Sequence, residues 1–347
     1  MLYVTTRGTQ DAFTAYRTTH QDRGPDGGFF VPMQMPVFSQ SDILKLPYNS
    51  FGQNVANILN LFFGTKISAW DVDVAIGRRV FTSQAAGHRT VRVQLWDDLH
   101  RNFRAVLCFL AQLVLPEQTE GSDICNWLEI GTRIAIIFAM FGEMMSSGQI
   151  RHDKGTDVAV SAGSFAMPMA LWYARQMGLP INNIICGCNE NGVVWDLLHR
   201  GEASLGVLAV QTTTPEADFA VPPNLERLIH GTLGHEEALR FWWCCTEGRT
   251  YGMSEVHAET VSRGMFAAVV SMNRVASIIP SVYRTNRYIL DPYGALAYGA
   301  LADYRARTGS VGTALLLTEA SPVCNAELVA EYMHVSPTEL TRLLSEG

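Results

Sequence analysis

The segment between residues 157 and 188 constrains the fold more than any other part of this chain. Asp157-Val158-Ala159-Val160 is a short apolar run, and small residues follow it, Ser161-Ala162-Gly163-Ser164-Phe165-Ala166. Residues 167–177 then read as a helix, with Pro168 near its first turn and Gly178 just past its end. Those are the places where a fixed φ and a missing Cβ are favourable. A second apolar run covers 183–188. Strand, loop, helix and strand in about 30 residues form the crossover that joins parallel neighbours in a sheet. The loop also has chemical meaning. The first N–H groups of a helix have no helical partner and, with the helix dipole, favour an anion. Small side chains let a phosphate approach the backbone. A plain tight turn would use the same residues, so the loop alone leaves both readings open.

Other segments fit an α/β frame. Residues 91–96 alternate like a strand, and 103–114 and 126–145 read as apolar helices that belong in a core. Gly52 to Phe63 reads as a helix with apolar residues at Val55, Ile58, Leu59 and Phe62. A helix is expected over 192–199, a buried strand over 314–318 and a polar helix over 335–344. Asp291 is placed to cap a helix with Pro292 at its first position.

Composition excludes some function classes. The chain has 347 residues, a net charge of -7 and no cluster of basic residues, so nothing favours nucleic acid or an anionic membrane. Its longest apolar run, 134–142, is too short for a bilayer. Seven cysteines without zinc spacing read as buried apolar residues, Cys186 and Cys188 on one face of a strand. With no signal peptide in view, a cytoplasmic location is expected. Lysine is scarce: only Lys45, Lys66 and Lys154 are present. That matters for any imine chemistry.

Six separated blocks give the chain a family resemblance. They are Tyr3-Val4-Thr5-Thr6-Arg7-Gly8 with Pro25-Asp26-Gly27-Gly28; Gly163-Ser164-Phe165-Ala166 with Ala174-Arg175-Gln176-Met177-Gly178-Leu179-Pro180-Ile181; Asn189-Glu190-Asn191; Asn224-Leu225-Glu226-Arg227; Tyr288-Ile289-Leu290-Asp291-Pro292; and Tyr304-Arg305-Ala306-Arg307-Thr308-Gly309. In this order the blocks resemble threonine synthase. The resemblance implies a three-layer α/β fold around a mainly parallel sheet, as in the large domain of fold type II pyridoxal-phosphate enzymes (tryptophan synthase β-like). It also implies a phosphate loop at Gly163, Ser164, Phe165 and Ala166. The polar group beneath the pyridine nitrogen falls to Thr318 or Glu319.

Against that family two things are missing. The family's imine lysine sits in a block matched without a gap by Leu95-Trp96-Asp97-Asp98-Leu99-His100-Arg101-Asn102-Phe103-Arg104-Ala105, which puts Arg104 in the lysine's place. A guanidinium stays protonated and cannot form a Schiff base as lysine does. The family's Asn-Trp-Ala-Arg-Ile helix matches Asn126-Trp127-Leu128-Glu129-Ile130, leaving little chain after Arg104 for the small domain and none of its substrate loop. The organisation implied is a threonine-synthase-like N-terminal region (1–80), a remnant of the lysine region with the small domain largely deleted (81–150), and a large α/β domain (151–347).

Further candidates are Asp98, beside the lost lysine, and Asn189, Glu190 and Asn191 after a strand end, where open parallel sheets bind ligands. Capping ahead of Phe103 accounts for Asp98 equally well. His88, His100, His152 and His257 read as structural, and no metal site is expected. The expectation is therefore a threonine-synthase relative that has lost its reaction and serves as a pseudoenzyme or binding protein. Pyridoxal phosphate is held non-covalently at most. The alternatives are a repurposed biosynthetic enzyme acting on an amino acid or its phosphate, with Arg104 as an anion clamp, and a pyridoxal-phosphate lyase using another lysine. A small amino acid or phosphorylated ligand and a homo-oligomer or protein partner are expected, the latter because the helix 126–145 would lack a cover.

Overall fold

A computed structural model of the chain describes residues 1–8, 11–77, 82–85, 87, 89–96, 102–117 and 123–346. Three short strands at the N-terminus, β1 (Leu2–Thr5), β2 (Phe13–Thr14) and β3 (Phe30–Pro32), form an antiparallel sheet in the order β2-β1-β3. The main sheet uses β4 (Thr82–Ala85), β5 (Thr90–Gln94), β6 (Thr156–Ser161), β7 (Ile181–Cys188), β10 (Met265–Val269) and β11 (Ala314–Thr318). Between them in sequence lies a small hairpin, β8 (Glu202–Ser204) with β9 (Thr250–Gly252). The main sheet runs β10-β7-β6-β11-β5-β4. Its first five strands are parallel, and β4 closes one edge antiparallel to β5.

The crossover read from the sequence is present. β6 and β7 are parallel neighbours, with Val158 opposite Ile184 and Ser161 opposite Gly187, and the helix Ala166–Gln176 joins them. Side chains of a strand alternate between faces, and the two faces here feed two cores. Val158, Val160, Ile184 and Cys186 enter one, while Ala159 and Ile185 enter the other. Helices therefore cover both faces, which is the three-layer arrangement. The helix Pro292–Thr308 lies on the second face so closely that a Cβ on Gly187 of β7 would come within 2.3 Å of the Leu296 carbonyl oxygen. Its N-cap is Asp291, whose carboxylate accepts from the Gly294 N–H at 2.8 Å.

The helix Trp127–Ser146 is the centre of the first layer. Asn126 caps it through the Leu128 N–H, and every residue from Trp127 to Gly142 is buried. Its cover comes from within the chain: the helices Phe51–Phe63 and Ala166–Gln176 pack against it. Trp127 sits in an aromatic cluster with Tyr3, Phe62 and Tyr173, at ring distances of 5.8, 5.5 and 5.4 Å. The reason for expecting a partner over this helix therefore does not hold. The preceding helix, Phe103–Val114, ends thirteen residues before Trp127, and no strand lies between them among the described residues. Among those residues no helix is long and apolar enough to cross a membrane.

Candidate functional site

A cavity of about 310 Å³ opens at the carboxyl ends of β6 and β11, the end of a parallel sheet where ligands bind. One wall is the turn from β6 into the helix Ala166–Gln176. Gly163 (φ +44°) and Phe165 (φ +64°) adopt left-handed backbone there. This costs glycine little and phenylalanine more, so tertiary contacts must hold the turn. The Phe165 N–H donates to the Ala162 carbonyl (2.7 Å) and the Ala162 N–H to the Gly187 carbonyl (2.8 Å). Asn224 donates to the Ser164 carbonyl from its side chain at 3.2 Å. The N–H groups of Gly163, Ser164, Ala166 and Met167 have no hydrogen-bond partner among the described residues. They form an open amide cup at a helix N-terminus, the arrangement that receives an anion. The Ser161 hydroxyl, also on the cavity wall, is buried without a partner.

The opposite walls come from distant parts of the chain. Arg104 and Asn102 stand at the start of the helix Phe103–Val114, and Glu319 and Ala320 follow β11. The Phe103 N–H donates to the Glu319 carbonyl at 2.9 Å, which ties these two walls together. Arg104 is exposed, and its side chain makes no ion pair among the described residues. Glu319 is bound by Arg133, whose Nη1 lies 2.7 Å from one carboxylate oxygen. The same guanidinium donates to Glu129 one turn earlier, at 2.9 and 3.1 Å. One buried cation thus serves two carboxylates and carries the helix Trp127–Ser146 into the site. Behind Glu319, Asp291 is fully buried. Burial first, and then repulsion from Glu319 and Glu216, raise its carboxyl to about 7.

The remaining wall is a loop bearing Glu216 and Phe219. The Glu216 N–H donates to the Tyr293 hydroxyl at 3.2 Å. The loop is anchored by Asp218, which accepts from the Thr212 N–H, the Thr212 hydroxyl and the Asn189 amide, each at 2.7 Å.

These positions sort the residues singled out in the sequence. Arg104, Gly163, Ser164, Ala166 and Glu319 line one cavity although they lie far apart in the chain. Phe165 and Thr318 do not line it. Phe165 is fully buried as the N-cap of the helix, and the Thr318 hydroxyl donates to the Val93 carbonyl at 3.3 Å, inside the sheet. Asn189 and Asn191 hold the 210–218 loop. Glu190 accepts from the Met272 N–H at 2.8 Å and so serves the start of the helix Met272–Asn286. Asp98, His88 and His100 lie outside the described residues. Arg133, Glu216, Phe219 and Tyr293 were not singled out in the sequence. No local pattern marks them, because only the folded chain brings them to this end of the sheet.

Comparison with known proteins accords with the architecture. Residues 2–79 match the family model "Threonine synthase N terminus". A threonine synthase from Brucella melitensis, whose crystal structure is described as bound to PLP, superposes with a TM-score of 0.85 at 19% identity, over 99% of this chain and 94% of that one. Yeast threonine synthase gives 0.82 at 17%, over 99% and 94%. The chain is a divergent member of the threonine synthase family. Among curated family members, Threonine synthase-like 1 of Macaca fascicularis is 28% identical over 180 residues, 51% of this chain and 24% of that protein. Threonine synthase of Corynebacterium glutamicum is 26% identical over 221 residues, 61% of this chain and 44% of that protein. The chain therefore spans about a quarter of the length of the first of these relatives.

The blocks shared with the family have a structural meaning here. Arg7 and Thr6 from the first block bind Glu226 from the fourth, Arg7 through two bonds of 2.9 and 3.1 Å. Arg227, fully buried, binds the carbonyls of Phe30 and Cys125 and the side chain of Asn224. Asn224 in turn holds Ser164 of the amide cup. The N-terminal sheet is thereby connected to the cup through a chain of buried polar contacts.

Proposed function

We propose that this family member binds a phosphate-bearing ligand non-covalently in the cavity and has lost the threonine synthase reaction. One observation carries the reading: the cavity offers an open amide cup but no amine. Arg104 lines it, and none of Lys45, Lys66 and Lys154 does. All three lysines are exposed, and Lys154 precedes β6, at the end of that strand away from the cup.

Pyridoxal phosphate, the cofactor the family implies, fits in part. Its phosphate suits the N–H groups of Gly163, Ser164, Ala166 and Met167, with Arg104 able to add two-point contact. Its aldehyde has no partner, since a guanidinium does not supply the attacking amine. Bound covalently, the cofactor supplies an electron sink for carbanions. Nothing in this cavity attaches it, so the reading is a pseudoenzyme or ligand-binding protein. Among the described residues no strand lies between Val114 and Trp127, which supports loss of the small domain. Seven unpaired cysteines support a cytoplasmic setting. For the homo-oligomer, support comes from Trp70 and Val74, 65% and 64% exposed one turn apart on the helix Ala69–Ile76.

A second reading is favoured by the exposed, unpaired Arg104. As an anion clamp it suits a repurposed enzyme acting on an amino acid or its phosphate. Calorimetric titration with pyridoxal phosphate and inorganic phosphate tests the common ground. Both bind competitively to the native chain, and Ala166→Asp, which puts a negative charge in the cup, abolishes both. Absence of phosphate-sensitive binding to the native chain would refute the reading.

A further inference from the structure

We infer that residues 206–211 form a pairing edge through which two copies of this chain join. Gly206-Val207-Leu208-Ala209-Val210-Gln211 is a run of consecutive exposed residues, with Val207, Leu208 and Val210 exposed by 50%, 92% and 52%. No helix, turn or bend interrupts 207–212. Asn191 grips Val210 from one side. Its amide donates to the Val210 carbonyl at 2.9 Å, and its side-chain oxygen accepts from the Val210 N–H at 2.7 Å. A residue offers its N–H and C=O to one partner in this way when its backbone is extended, as in a ladder. In an extended chain the residues on either side turn theirs the other way. The backbone groups of Val207, Leu208, Ala209 and Gln211 have no hydrogen-bond partner among the described residues. The segment is thus an edge strand held on one side and open on the other.

Its chemistry points to a second copy as the occupant. Edges that stay single are guarded by charge or proline. Here no charged residue occurs from Ala203 to Pro215, between Glu202 and Glu216. The chain carries a net charge of -7, so two copies repel over much of their surface and meet most easily where charge is absent. The segment is also its own complement. Antiparallel pairing about a twofold axis at Ala209 sets Ala209 opposite itself and Val207 opposite Gln211, the residues whose backbone groups face outward. Leu208 then meets Val210 in both directions, the isologous contact of a closed dimer. These are the pairs without hydrogen bonds, where side chains come closest. The segment leads through Thr212, held by Asp218, into the loop that carries Glu216 and Phe219. The inference rests on the homo-oligomer reading above and assigns it a contact distinct from the helix Ala69–Ile76.

Sedimentation of the full chain over a concentration series is the test. One paired edge is a small interface, so association is expected in the micromolar range. Leu208→Lys changes a side chain that is 92% exposed, so folding by circular dichroism is unaltered. It weakens association by about tenfold or more, since the twofold axis makes each lost contact count twice. Trp70→Glu leaves association unchanged. Crosslinking checks the register, in a Cys324→Ser background that removes the exposed native thiol. Ala209→Cys closes an intermolecular disulfide on mild oxidation, because a residue on the axis faces itself across about 5.5 Å. Leu208→Cys crosslinks at least about tenfold more slowly, its counterpart lying beyond the roughly 7 Å that a disulfide allows. Unchanged association in Leu208→Lys, or an Ala209→Cys disulfide that forms no faster than the Leu208→Cys one, overturns this inference. If Trp70→Glu then disperses the oligomer, the homo-oligomer reading stands without it. A chain that stays monomeric at every concentration overturns both.

Discussion

Replacing Arg133 by methionine separates the burial of its ion triad from mere packing. Methionine has similar length and no branch, so the apolar stem is retained while the guanidinium goes. Two carboxylates are then left without their cation. The Glu129 side chain is 8% exposed and the Glu319 side chain 28%. Removing one partner of a buried ion pair costs about 3–5 kcal/mol, because the remaining charge stays buried and unpaired. Glu319 is partly hydrated, which places the cost near 3 kcal/mol on that scale. The guanidinium also stands 5.1 Å from the centre of the Phe103 ring, a contact that contributes roughly 0.5 kcal/mol or more. Urea unfolding at pH 7 is the assay. Adding Glu129→Leu and Glu319→Leu recovers most of the loss, as apolar replacement of a whole buried network does. A loss below about 1 kcal/mol, or one that the added leucines leave unchanged, would refute the reasoning.

Asp291→Asn keeps the cap to the Gly294 N–H but removes a carboxyl whose folded value, about 7, lies far above its ordinary 3.8. A raised carboxyl favours the folded state at low pH, and that stability is lost as pH rises through 7. The variant therefore gains on the native chain between pH 5 and pH 8, by on the order of 3 kcal/mol in urea unfolding. Glu143, also raised to about 7 by burial, changes equally in both proteins and cancels. Gly187→Ala drives a methyl into the Leu296 backbone at 2.3 Å, with no flexible side chain to give way. It should cost about 3 kcal/mol or more by chemical denaturation, or leave the protein insoluble.

How much of this was legible in the sequence depends on how local each signal is. The 157–188 unit was, because its strands, turn and helix all lie within one crossover, and β6, β7 and the helix Ala166–Gln176 appear within a few residues of their expected bounds. The helix Phe103–Val114 and the strand Ala314–Thr318 fall where expected, as does the Asp291 cap. Burial of Cys186 and Cys188 in one core was visible from their spacing. The region from 200 to 290 was less so. Helices such as Leu225–Leu233 and Met272–Asn286 carry mixed polar and apolar residues, and Pro280 lies inside the second. The cup and Arg104 could be found because sequence blocks mark them. Arg133 could not, since an arginine in an apolar helix gives no hint of a carboxylate 186 residues away. Glu190 and Asn189 follow a strand end, which is a binding position in many sheets. Here the space is occupied by their own loop and by a helix start, so they position rather than bind.

The central claim is that the cavity keeps a phosphate cup and lacks an amine. Its most direct test is to incubate the purified chain with pyridoxal phosphate, reduce with borohydride, and map any pyridoxyl adduct by mass spectrometry. Three lysines exist, and none lines the cavity. No stoichiometric adduct is expected at Lys45, Lys66 or Lys154. None is expected at the introduced lysine of Arg104→Lys either, because that substitution does not restore the substrate loop whose loss is proposed above. A stoichiometric reduced adduct on the native chain, with the visible absorption of a lysine-bound cofactor before reduction, would contradict it.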